Sequence, residues 1–248
     1  MELGEIDLET ILRRQADSEN SRLDFVFIRY YWKEMLECVA SVHRYGIVHS
    51  DLKPANFLLV GGCLKLIDFG IAGAIPETTV NVHRENQVGT PNYMAPEALL
   101  DSNNTDGLPK SESKLLKLGK PSDIWSLGCI FYLMVYATQP FGHIQGAMRK
   151  AIAITNPRHV ISYPTTSING EEIPEACREK LKACLTWDQK LRPTTETLLD
   201  QSDTFLYPDH IDDLKEGLTL ESLAVLMKHT VIHYESSRFP ANGERRTS

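Results

Sequence analysis

Residues 45–56 read YGIVHSDLKPAN and place a histidine, an aspartate, a lysine and an asparagine at fixed offsets: His49, Asp51, Lys53 and Asn56. Ile47 and Val48 precede this polar group, and the apolar run Phe57-Leu58-Leu59-Val60 follows it. The polar side chains therefore belong to a loop gripped at both ends by buried segments, which is how a rigid scaffold presents catalytic groups. Working outward, Leu64-Lys65-Leu66-Ile67 leads into Asp68-Phe69-Gly70, and Ala95-Pro96-Glu97 comes later in the chain. Either triplet alone arises often by chance. All three signatures in this order do not.

The spacing H-x-D-L-K-x-x-N resembles the protein-kinase catalytic loop, H-R-D-L-x-x-x-N, at every position except the one after the histidine, where Ser50 stands. DFG and APE resemble the two ends of a kinase activation segment. Phosphoryl transfer needs a nucleophile held in line, Mg²⁺ to neutralise the phosphates, and little covalent chemistry from the protein. The resemblance implies that Asp51 orients the substrate hydroxyl and accepts its proton, and that Lys53 reaches the transferring phosphate as a point charge. It also implies that Asn56 and Asp68 supply oxygen ligands to Mg²⁺. ATP and Mg²⁺ are the implied cofactors. The plainer reading of the set is polar residues that cap loops.

Further roles follow from the same resemblance. His49 and Phe69 are expected to pack in a hydrophobic column between lobes, and Leu58 to lie under the adenine. Glu97 and Arg192 are expected to form an ion pair closing the activation segment, and Asp123 to hold the loop backbone from a central helix, since buried charges need partners. Thr78 and Thr79 are candidate phosphorylation sites, against the plainer reading of ordinary loop threonines. Thr90, in Val88-Gly89-Thr90-Pro91, sits where Ser/Thr-directed kinases place a threonine that contacts the catalytic aspartate and lysine. Serine at position 50 cannot pair a phosphate bidentately as arginine does. Activation through Thr78 or Thr79 is therefore expected to use other cations, Arg84 among the candidates.

Composition sets the outer bounds. In 248 residues, 42% are apolar, enough for a substantial core, and the net charge of −7 argues against nucleic acid or an anionic membrane as a partner. The five cysteines are odd in number and form no C-x-x-C, which fits reduced thiols in a small apolar role. The histidines and the pair Cys177 and Cys184 show no zinc-ligand spacing. The amino terminus, MELGEIDLETILRR, has no basic stretch followed by an apolar one, and no run approaches the ~18 apolar residues of a membrane span. A soluble intracellular protein is expected.

In chain order, Met1-Glu-Leu-Gly-Glu5 reads as an extended turn running into a short helix capped near Asp7, with Leu8, Ile11 and Leu12 on one face. From about Leu23 to His43 the apolar positions Ile28, Tyr31, Trp32, Met35, Val39 and Val42 predict a long helix, stopped at Gly46. Gly61-Gly62 predicts a hairpin that carries Asp68 toward the loop. Residues 71–88 lack periodicity and read as a loop, and 101–120 as a polar insert. The apolar run Ile124 to Val135 predicts a helix at the domain centre. Helices are also expected over Pro174–Leu185 and from Arg192-Pro193 through Leu199. A helical extension over 207–235 and a disordered tail over 236–248 complete the reading.

Within the kinases the chain is most similar to the monopolar-spindle family. HSDLKPANFL with Ser50, LKLIDFGIA, VGTPNYMAPEA followed by a polar insert, and SDIWSLGCI carry that resemblance, and MELGEIDL resembles the family's hinge. It implies adenine contacts through the backbone of Glu2 to Gly4 and a gatekeeper at Met1. It also implies dual specificity, a spindle-checkpoint role, kinetochore protein partners, protein substrates, and a nuclear or cytoplasmic location. The 248 residues contain no G-x-G-x-x-G and no V-A-I-K-like strand, the parts that cover and pair the ATP phosphates. The expected fold is therefore mainly α, a kinase carboxy-terminal lobe over residues 1–206 starting at the hinge, with short β-hairpins around the catalytic loop and no amino-terminal lobe. The alternative function is a non-catalytic lobe that keeps the docking surfaces.

Overall fold

The computed structural model describes residues 5–16, 23–68, 73–74, 91–103 and 119–208. Positions 1–4, Phe69, Thr78, Thr79, Arg84, Thr90, and everything from 209 onward lie outside the described residues. Within them the protein is mainly helical, with two small antiparallel sheets. No described helix is long and apolar enough to cross a membrane.

Strand β1 (Ile6–Asp7) runs straight into helix α1 (Leu8–Ala16). Asp7 caps that helix: its Oδ1 accepts from the Thr10 N–H at 2.8 Å, and Leu8 and Ile11 are buried. Helix α2 (Phe25–Arg44) starts at Asp24, whose carboxylate accepts from the Val26 and Phe27 N–H groups. It ends at Gly46, which adopts φ 71° and donates to the His43 carbonyl at 3.0 Å. Its buried stripe, Ile28, Tyr31, Trp32, Met35, Leu36, Val39, Ala40 and His43, follows the helical period.

Strands β2 (Ile47–Val48), β3 (Phe57–Val60) and β4 (Cys63–Leu66) frame the catalytic-loop sequence. In β3–β4 the pair Val60↔Cys63 closes on Gly61 and Gly62, both at positive φ, the two-residue turn whose twist suits a hairpin. Period-two alternation buries Phe57 and Leu59 and leaves Leu58 and Val60 half-buried on the other face. β1 pairs with β3 through Ile6↔Leu59 and Asp7↔Leu58. The stretch 71–88, expected as loop, contributes a two-residue strand, β5 (Gly73–Ala74), paired with β2 through Val48↔Gly73. Backbone hydrogen bonding across space makes this strand, so local periodicity carried no sign of it.

Helix α3 (Pro96–Asn103) takes up the first residues of the stretch 101–120, and α4 (Lys120–Tyr136) begins at its end; 104–118 lie outside the described residues. α4 is buried along nearly its whole length and forms the axis of the domain. Trp32 of α2 stacks on Phe131 of α4 at 4.4 Å between centroids, and Phe131 meets Phe205 at 5.4 Å. α6 (Glu175–Cys184) packs on α4, α5 (Ala147–Thr155) on α3, and the short α7 (Thr195–Leu198) on α2. α7 is shorter than Pro193–Leu199 because the Thr194 hydroxyl, not the proline, supplies its N-cap. At Gly128 a Cβ would lie 2.8 Å from the Cys184 Cβ, so the glycine is what permits α4 and α6 to approach this closely.

Candidate active site

The loop between β2 and β3 hangs from Asp123, in the first turn of α4. This carboxylate is wholly buried, and its Oδ1 accepts from the Ser50 N–H at 2.8 Å while Oδ2 accepts from the His49 N–H at 2.9 Å. Oδ2 also meets the buried His43 Nε2 at 2.8 Å. Ser50 sits at φ 67°, in the left-handed region that non-glycine residues enter at a cost, and its own anchored N–H together with that of His49 before it holds it there. The turn aims the next residue, Asp51, away from the core, where its carboxylate is largely shielded but still reaches the surface.

The His49 ring is fully buried. Its Nε2 meets the Ile67 carbonyl at 3.1 Å and its Nδ1 accepts from the Asp51 N–H at 3.3 Å, contacts that the Nε2-protonated tautomer satisfies together. The imidazole thus bridges the loop and the end of β4 rather than facing solvent. Lys53 Nζ donates to Asp51 Oδ2 at 3.1 Å. Asn56, also buried, closes the loop: its Nδ2 donates to the Asp51 carbonyl at 2.8 Å, which leaves the amide oxygen on the opposite side of the carboxamide.

Asp68 reaches this loop through the backbone. The Ile67 N–H donates to the Asn56 carbonyl at 2.9 Å, so the residue just before Asp68 is fastened to Asn56 itself. Asp68 is exposed and adopts φ 62°. One amide oxygen and one carboxylate, both hard donors brought to the same end of the loop, fit Mg²⁺, which takes one or two protein oxygens and completes its shell with water and phosphate. Leu58, half-buried on β3, stands in register with Asp7 and Lys65. Glu2, Gly4, Phe69, Thr78, Thr79 and Thr90 lie outside the described residues, as does Met1.

A second anchor lies on the far side of the α4 start. Arg192 donates from Nη1 to Glu97 Oε1 at 2.7 Å and from Nη2 to Oε2 at 2.9 Å, a bidentate pair. The carbonyls of Thr186, Pro121 and Trp187 take its remaining N–H groups, and its guanidinium lies over the Trp125 ring at 5.0 Å. The Ser122 hydroxyl donates to Glu97 Oε1. Burial alone pushes the Glu97 carboxyl up. The Arg192 hydrogen bonds and charge, with Ser122 and the local backbone, outweigh burial and hold it below its ordinary value.

Two features escaped the sequence. His43 read as one more position at the end of a helix, although it falls seven residues after Leu36 on the buried stripe, where a polar side chain calls for a partner. Lys150 of α5 is buried with its ammonium on Asn92 Oδ1 at 2.6 Å, and no local pattern marks it. A cavity of about 460 Å³ between α1, the start of α2 and the end of α4 touches the catalytic loop only at Pro54.

A mainly helical domain whose central helix holds a strained H-x-D loop by its backbone, with the DFG aspartate beside it, defines the class, and the comparison with known families agrees. Residues 1–202 match the protein kinase domain, and the chain belongs to that family. It is 51% identical to the Saccharomyces cerevisiae serine/threonine-protein kinase MPS1 over 84% of this chain and 27% of that protein. It is 47% identical to the Schizosaccharomyces pombe serine/threonine-protein kinase mph1, over 80% of this chain and 30% of that one. It is 41% identical to the mouse dual specificity protein kinase TTK, over 91% and 25% respectively. The chain thus spans about a quarter to a third of the length of these relatives.

Proposed function

We propose that these residues form the carboxy-terminal lobe of a Ser/Thr or dual-specificity protein kinase of the monopolar-spindle type, acting on protein hydroxyls in spindle-checkpoint signalling at kinetochores. The observation that carries the reading is the Asp51 loop. Its catalytic carboxylate is turned outward by a strained, doubly anchored backbone, and Asn56 is tied through Ile67 to the residue before Asp68. Names containing serine/threonine-protein kinase and dual specificity protein kinase among relatives at 41–51% identity support the substrate class.

In this reading Asp51 orients the incoming hydroxyl and takes its proton, geometry that Asn56 preserves by holding the Asp51 carbonyl. Lys53, already beside Asp51, meets the negative charge of the transferring group. Asn56 and Asp68 would hold Mg²⁺, and ATP would supply the phosphoryl group. Arg192 and Glu97 keep the end of the activation segment fixed to α4, and Thr78, Thr79 and Thr90 are its candidate regulatory threonines.

The test compares the 248-residue chain with a version extended upstream through a complete amino-terminal lobe, measuring ATP binding and phosphoryl transfer with Mg²⁺. Transfer by the extended version and none by the chain is expected, since the phosphate cradle and its lysine belong to the other lobe. Equal rates would overturn the single-lobe reading, and no transfer by either would favour an interaction module.

A further inference from the structure

We propose that Asn92 is a specificity-determining residue that donates its side-chain amide N–H to a neutral carbonyl oxygen of the bound protein substrate, and that Lys150 is the positioning residue that aims it. The substrate role rests on the kinase reading; the hold of Lys150 on Asn92 does not.

Lys150 lies within α5 and is 7% exposed, and its Nζ donates to Asn92 Oδ1 at 2.6 Å. A buried ammonium ordinarily meets a carboxylate, because taking a charge out of water costs more than a neutral partner returns. Here the partner is a neutral amide. What the lysine secures is direction. An ammonium can only donate, so it selects the oxygen of the carboxamide and leaves the NH2, with its two donors, on the other side. Asn92 lines the cavity of about 460 Å³ between α1, α2 and α4, and Lys150 does not, so the side turned from the lysine is the one that offers donors to the cavity. An asparagine amide left to itself turns over a broad, two-fold torsion. Tied to a buried cation, it has one orientation.

The cavity sets what that donor meets. It reaches the catalytic loop at Pro54, three residues after Asp51, so a peptide that brings its hydroxyl to Asp51 has the cavity beside it. The acidic groups of the lining are engaged within the protein: Asp24 caps α2, Glu171 accepts from the Leu23 N–H and the Ser167 hydroxyl, and Glu9 pairs with Arg13. Carboxylates still outnumber cations among these lining residues, and like charge disfavours a further carboxylate from the substrate. A neutral carbonyl oxygen is the acceptor that fits an amide donor in these surroundings.

Two substitutions separate direction from stability. Asn92→Asp keeps an oxygen for Lys150 and gives the buried cation a counterion, but turns an acceptor toward the cavity in place of the donors. Lys150→Met keeps the unbranched shape, removes the buried charge and frees the amide to turn. In the 248-residue chain neither is expected to lower the melting temperature. By NMR, the Asn92 side-chain NH2 signal, assigned by its loss in Asn92→Asp, is expected to shift in Lys150→Met. In the upstream-extended version, kcat and KM are measured for the best peptide from a degenerate library with a central serine or threonine. Asn92→Asp is expected to raise KM about tenfold or more, and Lys150→Met about threefold, the range of one hydrogen bond. In both, kcat should stay within about twofold, the signature of binding lost equally from ground and transition states. An unchanged KM in Asn92→Asp would overturn the proposal, as would a rise accompanied by a lower melting temperature and an equal loss of kcat, which marks a merely structural role. An unshifted NH2 signal in Lys150→Met would remove Lys150 from it. Should the extended wild type transfer no phosphate to the library, the proposed function fails, and the NMR arm still decides whether Lys150 aims Asn92.

Discussion

Two carboxylates, Asp123 wholly buried and Glu97 with 12% of its side chain exposed, meet at the first turn of α4 and are satisfied in opposite ways. Asp123 is met by two backbone N–H groups and one histidine. Glu97 is met by Arg192, whose five N–H groups are all spent on Glu97 and three carbonyls. The carbonyl of Pro121 and the hydroxyl of Ser122 serve the Glu97 cluster, and the very next side chain serves the loop. A carboxylate met by backbone donors fixes the course of the chain, here a strained turn that aims Asp51. One met by a saturated guanidinium fixes two elements to each other and presents nothing to a substrate. Under the proposed function, the loop side is where activity should be sensitive, and the Glu97 side where stability should be.

The sharpest way to break this contrast is Arg192→Ala, which strands the largely buried Glu97 carboxylate. Unfolding of the chain in urea should show a loss of ~3–5 kcal/mol, and Arg192→Lys should recover only part, since an ammonium lacks the planar fork. A loss under ~1 kcal/mol would make the pair a bystander.

Asp51→Asn should do the reverse. In the upstream-extended version turnover should fall by ~10² or more. Melting should barely move, because the Asp51–Lys53 pair is partly exposed, at 18% and 38%, and such pairs contribute ~0–1 kcal/mol. Retained turnover would remove Asp51 from the mechanism.

Gly128→Ala tests the frame that both clusters share. Its new methyl meets the Cys184 Cβ at 2.8 Å and Leu185 side-chain atoms at 3.1 Å. Thermal denaturation should report a cost of ~1–3 kcal/mol; a neutral result would show that α6 can yield.

The smallest effect concerns pH. Glu97 is held below its ordinary value of 4.5, so its folded pKa lies below its unfolded one. Its contribution is present in full above 4.5 and is lost as pH falls through the folded value. Glu97→Gln, compared with wild type by urea titration across acid pH, should give a shallower decline in stability below 4.5. A slope identical to wild type would mean that Arg192 does not hold the carboxyl down.

Much of this architecture was legible because its cause is local. The apolar run Ile124–Val135 could only be a buried helix, and it lies within α4. Gly61-Gly62 marked its hairpin because two successive positive φ angles suit glycine, and Asp7 marked the start of α1 because its carboxylate reaches forward to accept from the Thr10 N–H. The polar run His49 to Asn56 between the apolar pairs Ile47-Val48 and Phe57-Leu58 marked the loop that lies between β2 and β3. What stayed hidden depends on separation in the chain. Gly73–Ala74 became a strand only by finding Ile47–Val48, and Lys150 found Asn92 from 58 residues away. His43 was half visible: the stripe of α2 passes through it, but the partner that explains it lies 80 residues on.

That separation has a consequence for how the chain is made. Asp123 emerges from the ribosome 73 and 74 residues after the loop amides it will hold, and Arg192 emerges 95 residues after Glu97. At the usual pace of synthesis the second interval is on the order of ten seconds. During it the Glu97 carboxylate of α3 has only the Ser122 hydroxyl as a partner from α4 and lacks its guanidinium, so the joint between the two helices stays incomplete until α6 and the segment after it have been translated. The catalytic loop meets its anchor earlier, once α4 is out.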